Sequence, residues 1–207
     1  MAAVKRGSLI VFEGVDGSGK STQLALLADT MRSAGREVVE TGEPYDCEWG
    51  RKIREMARSG QGVAPEQELE WFLEQRRVHV RDLVGPSLAA GRMVLSDRYF
   101  LSTVAYQGAR GLDAERLLAE SEAEFPIPDL VLLLELDAET GLRRVSERGG
   151  PREPVFEQQA FLERVAAIFR GLDRHYIAHI PAEGEIAEVQ DRVFSTVRRR
   201  LPLRSSS

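Results

Sequence analysis

The chain has very little cysteine and no long apolar run, and both absences narrow its class. Cys47 is the one cysteine in 207 residues, so no intramolecular disulfide can form, and we expect a reducing compartment, the cytoplasm. No apolar stretch approaches the roughly 20 residues of a membrane-spanning helix, and the one after residues 1–8 is interrupted at Glu13, unlike a signal peptide. The sequence therefore predicts no membrane association.

Charge of one sign is not in large excess either. Lys and Arg number 28 against 33 Asp and Glu, a formal net charge of −5, which argues against a large nucleic-acid surface. The 3 histidines have no metal-ligand spacing with one another or with Cys47, so no zinc site is predicted. The length suits one compact core, and we expect a single domain over residues 1–207 with a disordered tail at 202–207.

What the chain does contain is a glycine-rich phosphate-binding pattern, G-x-x-x-x-G-K-[ST]. It follows an apolar run at residues 9–12 and precedes residues 21–31, whose apolar positions recur at helical spacing. In this context the backbone N–H groups cradle phosphates, Lys20 reaches the β- and γ-phosphates, and the Ser21 hydroxyl binds Mg²⁺. The alternative is a glycine-rich turn that only caps a helix. The predicted nucleoside triphosphate loop comprises Gly14, Val15, Asp16, Gly17, Ser18, Gly19, Lys20, Ser21 and Thr22.

Strand-like and helical patterns alternate along the rest of the chain. The spacing predicts strands at residues 9–12, 37–41, 93–96, 130–136 and 176–180, and helices at 21–31, 65–90 (bent or ended near Gly85-Pro86), 114–124, 139–147, 161–172 and 186–197. Short, nearly all-apolar strands between helices indicate an α/β fold: a P-loop three-layer sandwich with a five-stranded parallel sheet and helices on both faces. Ligands are then expected at the carboxyl ends of the strands.

Two residue pairs indicate a second ligand beside the triphosphate. Asp97 ends a predicted strand and Arg98 follows it, which places a Mg²⁺-binding or general-base carboxylate next to a phosphate clamp. The alternative is a helix-starting Asp beside a surface Arg. Phe72 and Arg76 share one face of the long helix, where the aromatic ring could stack on a base and the guanidinium could bond its edge. The alternative is a core Phe beside a solvated Arg.

Arginines also flank a glycine-rich segment late in the chain. Arg143, Arg144, Arg148 and Arg152 lie around Gly149-Gly150-Pro151, a pattern typical of a mobile lid over phosphates, at about residues 143–157, or of a solvated basic loop. Glu13, charged at the end of a buried strand, is a candidate for orienting the P-loop or site arginines.

Together these stretches resemble the thymidylate kinase family. The resemblance lies in residues 12–23, in Phe72 to Arg76, and in Asp97-Arg98-Tyr99 with Ala105-Tyr106-Gln107-Gly108, and it extends over about residues 9–197. It implies transfer of the γ-phosphate of ATP to dTMP with Mg²⁺, in a homodimer.

The resemblance also implies a role for each matching residue. At the base, Phe72 would stack on thymine, Arg76 would bond its edge, and Thr103 would line the pocket of the thymine methyl. At the sugar, Asp16 would bond the deoxyribose 3′-hydroxyl and Tyr106 would exclude a ribose. Arg98 would hold the dTMP phosphate with Asp97 near the metal, and Gln107 would also belong to the dTMP site. Because the P-loop has no arginine, the lid would supply the catalytic one, Arg148 first and Arg152 second. Arg143, Ala182 and Glu183 would lie on the adenine side.

The chain departs from the family after its second strand. Gly42 stands where bacterial members carry an arginine, and Tyr45-Asp46 replace a glycine pair. Glu43-Pro44 with Trp49 faintly resembles the deoxyribonucleoside kinases, in which such a glutamate deprotonates a 5′-hydroxyl. A third possibility is a nucleotide-binding regulator without a small acceptor.

Overall fold

The sheet has five parallel strands, as the sequence predicts. A computed structural model describes residues 6–147 and 156–201. The strands are β1 (Ser8–Glu13), β2 (Val38–Gly42), β3 (Met93–Asp97), β4 (Leu130–Glu135) and β5 (Ile177–Pro181), in the order β2-β3-β1-β4-β5. Residues Leu9 to Phe12 of β1 are fully buried, because this strand is central and both faces of the sheet are covered.

Helices occupy the connections between the strands, and one more helix follows the last strand. They are α1 (Lys20–Ser33), α2 (Glu48–Ser59), α3 (Pro65–His79), α4 (Gly85–Ala89), α5 (Phe100–Ala109), α6 (Ala114–Glu124), α7 (Ala138–Glu147), α8 (Phe156–Gly171) and α9 (Ile186–Arg200). A π-helical turn, Val80–Val84, joins α3 to α4. The long helix predicted over residues 65–90 is therefore continuous but changes its hydrogen-bond pattern before Gly85-Pro86, where proline removes a backbone donor.

Right-handed crossovers place the helices on both faces. The chain moves one way along the sheet from β1 to β2 and the opposite way from β2 to β3, from β3 to β4 and from β4 to β5. Because parallel crossovers are right-handed, α1 covers one face and the later crossover helices cover the other. The packing agrees, since α1 contacts α9 whereas α5 contacts α3, α6 and α8. The three-layer prediction is confirmed.

Two helices, α2 and α5, lie in segments for which the sequence patterns predicted no helix. In α2 most residues are polar, and only Gly50 and Ile53 are buried. In α5 seven of the ten residues are buried and none is exposed, so no polar face marks its period. Among the described residues, no helix is both long and apolar enough to cross a membrane.

Candidate functional site

The phosphate-binding loop connects β1 to α1 at the carboxyl edge of the sheet. Gly14 has φ 137° and Gly17 has φ 81°, values that favour glycine. A Cβ at Gly14 would lie 2.4 Å from the Leu134 carbonyl oxygen, and one at Gly17 would lie 2.2 Å from that of Gly141. The loop is therefore wedged between β4 and α7, and no side chain fits at either position.

Lys20 begins α1 and lies folded against the loop. Its Nζ donates to the carbonyl oxygens of Gly14 (3.0 Å) and Val15 (2.9 Å), and the residue is buried. Burial, and then the neighbouring Arg98 charge, lower the pKa of Lys20 to about 8. A phosphate would replace the two carbonyls with charged partners and favour the ammonium form.

Ser21 and Asp97 meet across the sheet edge. The Ser21 Oγ donates to Asp97 Oδ2 at 2.5 Å, which joins the start of α1 to the end of β3. A hydroxyl and a carboxylate oxygen side by side, next to the triphosphate loop, are donors that suit Mg²⁺. The residues present therefore fit the metal that the sequence predicts, although no cluster of three or more His, Cys, Asp or Glu occurs in the described parts of the chain.

A cavity of about 640 Å³ opens in front of these residues. It brings together seven of the sequence-predicted site residues at one site: Asp16, Gly17, Gly19, Lys20, Ser21, Asp97 and Arg98. Its remaining lining comes from the end of β2 and the loop after it, from α2, from α7 and from α8: Gly42, Glu43, Pro44, Arg54, Leu142, Val145, Gln158, Phe161 and Leu162. The volume is in the range of a small-molecule site.

Arg98 lies at the centre of a polar cluster in this cavity. It has φ 71°, in the left-handed region that a non-glycine residue rarely occupies. Its Nη2 donates to Asp16 Oδ1 (2.5 Å) and Tyr106 Oη (3.4 Å), and the Tyr106 Oη donates to Asp16 Oδ2 (3.3 Å). Burial opposes ionisation of Asp16, but the Arg98 charge holds its pKa below the usual range.

Glu13 lies fully buried behind Arg98. Its Oε1 accepts from the backbone N–H groups of Tyr99 (2.8 Å) and Ser102 (3.1 Å), and its Oε2 accepts from the Ser102 Oγ (2.5 Å). The same Ser102 Oγ accepts from Arg98 Nη1 at 2.8 Å. Burial raises the pKa of Glu13 to about 7, and the Ser102 hydrogen bond and the Arg98 charge only partly counter it.

Arg76 is the second buried arginine, and it is paired with a carboxylate. Its Nε and Nη2 donate to the Glu43 carboxylate at 3.0 and 2.6 Å, and Nη2 also donates to Thr103 Oγ1 at 2.8 Å. His79 Nδ1 lies 3.1 Å from Glu43 Oε1. Burial alone would raise the pKa of Glu43, but Arg76 and His79 hold it below its usual range. Glu43 is thus engaged in an internal ion pair.

Several polar atoms near this pair have no partner within the described residues. They are the Nη1 of Arg76 and both side-chain polar atoms of Gln107, all of them buried. A buried polar atom without a partner costs about 1–3 kcal/mol, so these atoms are candidates for ligand contacts. Phe72 lies half-buried one helical turn before Arg76 on α3. The structure therefore joins Arg76 to Thr103 directly and leaves Gln107 and Arg76 with free hydrogen-bonding capacity.

Sequence reasoning did not find Arg54, which lines the main cavity. Its Nη1 donates to the Pro44 carbonyl (2.9 Å) and its Nη2 to Asp46 Oδ1 (2.7 Å), so α2 carries a guanidinium to the loop that departs from the family. The helical spacing of Trp49, Ile53 and Met56 would have revealed α2.

A second, smaller cavity lies beside the P-loop on the other side of α7. Its lining includes Ala182, which the sequence predicts for the adenine side, and also Arg144. Arg144 Nη1 lies 3.5 Å from the Gly17 carbonyl oxygen and 3.4 Å from that of Ala182. Arg143 and Glu183 are exposed. Arg144 is therefore the arginine that α7 presents to this cavity.

The two predicted lid arginines lie outside the described residues. Arg148 and Arg152 fall between the described ranges, as does most of the segment 143–157. Their roles remain predictions.

Comparisons with known proteins agree with this geometry. A family model described as thymidylate kinase matches residues 12–193. The chain is 44% identical over 197 residues to a thymidylate kinase of Desulfotalea psychrophila, covering 95% of this chain and 97% of that protein. It is 39% identical over 198 residues to a thymidylate kinase of Akkermansia muciniphila, covering 96% and 95%. A thymidylate kinase of Xanthomonas euvesicatoria is 46% identical over 167 residues, covering 81% and 73%.

Proposed function

The chain belongs to the thymidylate kinase family, and we propose that it transfers the γ-phosphate of ATP to dTMP, giving dTDP and ADP. One observation carries the choice of acceptor: Arg98 faces the P-loop cavity while Glu43 is locked in a buried pair with Arg76. A nucleoside acceptor needs a base to deprotonate its hydroxyl, whereas a monophosphate is already an anionic nucleophile. An arginine beside the P-loop suits the second acceptor and not the first.

The reaction needs positioning and charge neutralisation more than covalent help. An oxygen of the dTMP phosphate attacks the γ-phosphorus, a new P–O bond forms, and the bond to the bridging oxygen of ADP breaks. We propose that Arg98 holds the acceptor phosphate and that Lys20 binds the donor phosphates. Both charges lie in one partly enclosed cavity, where they stabilise the transferred group more strongly than in water.

We propose that Ser21 and Asp97 hold Mg²⁺, in part through water. The metal, when bound, neutralises charge on the triphosphate oxygens. The 2.5 Å contact between the two side chains supports this assignment, since both oxygens belong to one small polar site.

The base is proposed to bind between α3 and α5. Phe72 would stack on thymine, the free Nη1 of Arg76 would donate to a base carbonyl, and the unpaired amide of Gln107 would bond the base edge. Thr103, already bonded to Arg76, is placed to contact the thymine methyl. Tyr106, which bonds Asp16, would lie beside the sugar and disfavour a ribose while Asp16 bonds the 3′-hydroxyl.

Further assignments follow from the family and await tests of their own. We propose a catalytic arginine from the lid, Arg148 first and Arg152 second, and an adenine site in the cavity that Arg144 and Ala182 line. We also propose one kinase domain that forms a homodimer and resides in the cytoplasm, the last because the chain has a single cysteine.

The experiment measures ADP release from ATP and Mg²⁺ with dTMP, dUMP, the ribose analogue of dTMP, thymidine, or no acceptor. We expect turnover with dTMP and none with thymidine. Turnover with thymidine would instead favour a deoxyribonucleoside kinase with Glu43 as base. Acceptor-independent ADP release, or ATP binding without any turnover, would favour a nucleotide-binding regulator.

A further inference from the structure

We infer that Glu13 is a positioning residue for the acceptor phosphate, because its carboxylate fixes the Arg98 guanidinium through the Ser102 hydroxyl. The inference rests on the proposed function, in which Arg98 holds the phosphate of dTMP. Glu13 itself is fully buried and does not line the cavity, so it acts on the ligand only through other side chains.

The hydrogen bonds have a defined direction. The Ser102 Oγ has one proton, which it donates to Glu13 Oε2 at 2.5 Å. Its lone pairs are thereby turned toward Arg98 Nη1, which donates to it at 2.8 Å. The second guanidinium nitrogen, Nη2, bonds Asp16 and Tyr106. Two separate groups thus hold the two ends of the guanidinium.

The backbone beneath Arg98 is held by the same carboxylate. Glu13 Oε1 accepts from the N–H groups of Tyr99 and Ser102, which belong to the first turn of α5 and the residue before it. Arg98 itself has φ 71°, and its N–H donates to the Phe12 carbonyl, one residue before Glu13. A strained backbone persists only where its surroundings determine it, and here β1 supplies those contacts.

Two substitutions separate the side-chain relay from the backbone contacts. In E13Q the amide oxygen still accepts from the two backbone N–H groups, but its NH₂ donates to the Ser102 Oγ and competes with Arg98 for the same oxygen. In S102A the backbone contacts remain and the relay is removed. D129N serves as the control, because the Asp129 carboxylate bonds the Leu9 N–H at the opposite end of β1 (2.8 Å) and is remote from the cavity.

The readout is the dissociation constant of thymidine divided by that of dTMP, measured by titration calorimetry without ATP at about pH 8, where Glu13 is mostly ionised. This ratio is the contribution of the phosphate. We expect E13Q and S102A to lower it about tenfold, the size of a charge-assisted hydrogen bond, with thymidine binding changed less than about twofold. D129N should keep the wild-type ratio. In an R98A background, E13Q should lower the ratio no further.

Three results would overturn the inference. The first is an unchanged ratio in both E13Q and S102A. The second is an equal loss of thymidine and dTMP affinity, which indicates general distortion of the site and no positioning of Arg98. The third is a further drop when E13Q is added to R98A. A wild-type protein that binds dTMP no better than thymidine would overturn the proposed function itself, and this result is distinguishable because it precedes any variant.

Discussion

The buried carboxyl of Glu13 makes the stability of this protein depend on pH in a way that one isosteric substitution removes. Burial raises the pKa of Glu13 from 4.5 to about 7, so the folded chain holds this proton more tightly than the unfolded chain does. The stability that protonation contributes is complete below the unfolded pKa, and it is lost as the pH rises through the folded one. Because the Gln side chain of E13Q cannot ionise, E13Q does not lose this contribution as the pH rises.

The magnitude follows from the two pKa values. At roughly 1.36 kcal/mol per pKa unit, the shifted pKa lowers the free energy of unfolding of the wild type by about 1 kcal/mol at about pH 5 and by about 3 kcal/mol at about pH 7, relative to low pH where Glu13 is protonated in both states. We therefore expect the free energy of unfolding of E13Q, minus that of the wild type, to increase by about 2 kcal/mol from about pH 5 to about pH 7. This expectation concerns only the change with pH and does not depend on which protein is more stable at either pH. The upper limit is kept at about pH 7 because the pKa of Lys20 is lowered to about 8 and depends in part on the Glu13 charge, so its titration would differ between the two proteins.

Urea unfolding of both proteins, followed at several pH values from about 5 to about 7, measures this difference. Titrations common to both proteins cancel when one free energy of unfolding is subtracted from the other. A difference that stays within about 0.5 kcal/mol over the whole interval would refute the reasoning, because a carboxyl with an unshifted pKa gives that result. D129N, measured in parallel, controls for the loss of a carboxylate that bonds the backbone at the other end of β1.

Four further outcomes are expected. E43A should cost about 3–5 kcal/mol in urea unfolding, because it leaves Arg76 buried without its carboxylate, and a cost below about 1 kcal/mol would contradict this. D97N should raise the Mg²⁺ concentration for half-maximal rate about tenfold, and an unchanged Mg²⁺ requirement would argue against the metal role of Asp97. Y106A should reduce the preference for dTMP over its ribose analogue about tenfold in kcat/KM, with Y106F as the control that keeps the ring. R148A should lower turnover by more than about tenfold, or 1.4 kcal/mol, and a smaller loss would remove that arginine from catalysis.

The strands and the P-loop could be predicted because their signals are local. Each strand except β2 is a short, mostly apolar run, and all five begin and end within one residue of the predicted positions. The loop pattern sits between a strand and a helix in the sequence and in the structure alike. Asp97 and Arg98 were expected at a strand end, and they do lie in the cavity at the carboxyl edge of the sheet.

Contacts between residues that are far apart in the sequence could not be predicted, because no local pattern specifies them. Arg76 and Glu43 are 33 residues apart, and only the packing of α3 against the loop after β2 brings them together in a buried pair. The sequence analysis placed Arg143 on the adenine side, whereas Arg144 is the residue that lines the cavity beside Ala182. Adjacent residues on a helix point about 100° apart, and the packing of α7 through Ala138 and Leu142 decides which one faces the cavity.

The two buried carboxylates explain why the site holds its arginines so firmly. Glu13 holds Arg98, the proposed phosphate ligand, and Glu43 holds Arg76, the proposed base ligand, so both guanidinium groups are oriented before any ligand binds. Orientation in advance lowers the entropy lost on binding, and a buried ion pair resists the rearrangement that would misplace the charge. A lysine would not reproduce either arrangement, since its single ammonium lacks the planar fork whose separate nitrogens bond different groups in fixed directions. Because a guanidinium has several N–H donors in fixed directions, one arginine can bond buried protein groups and a ligand at the same time.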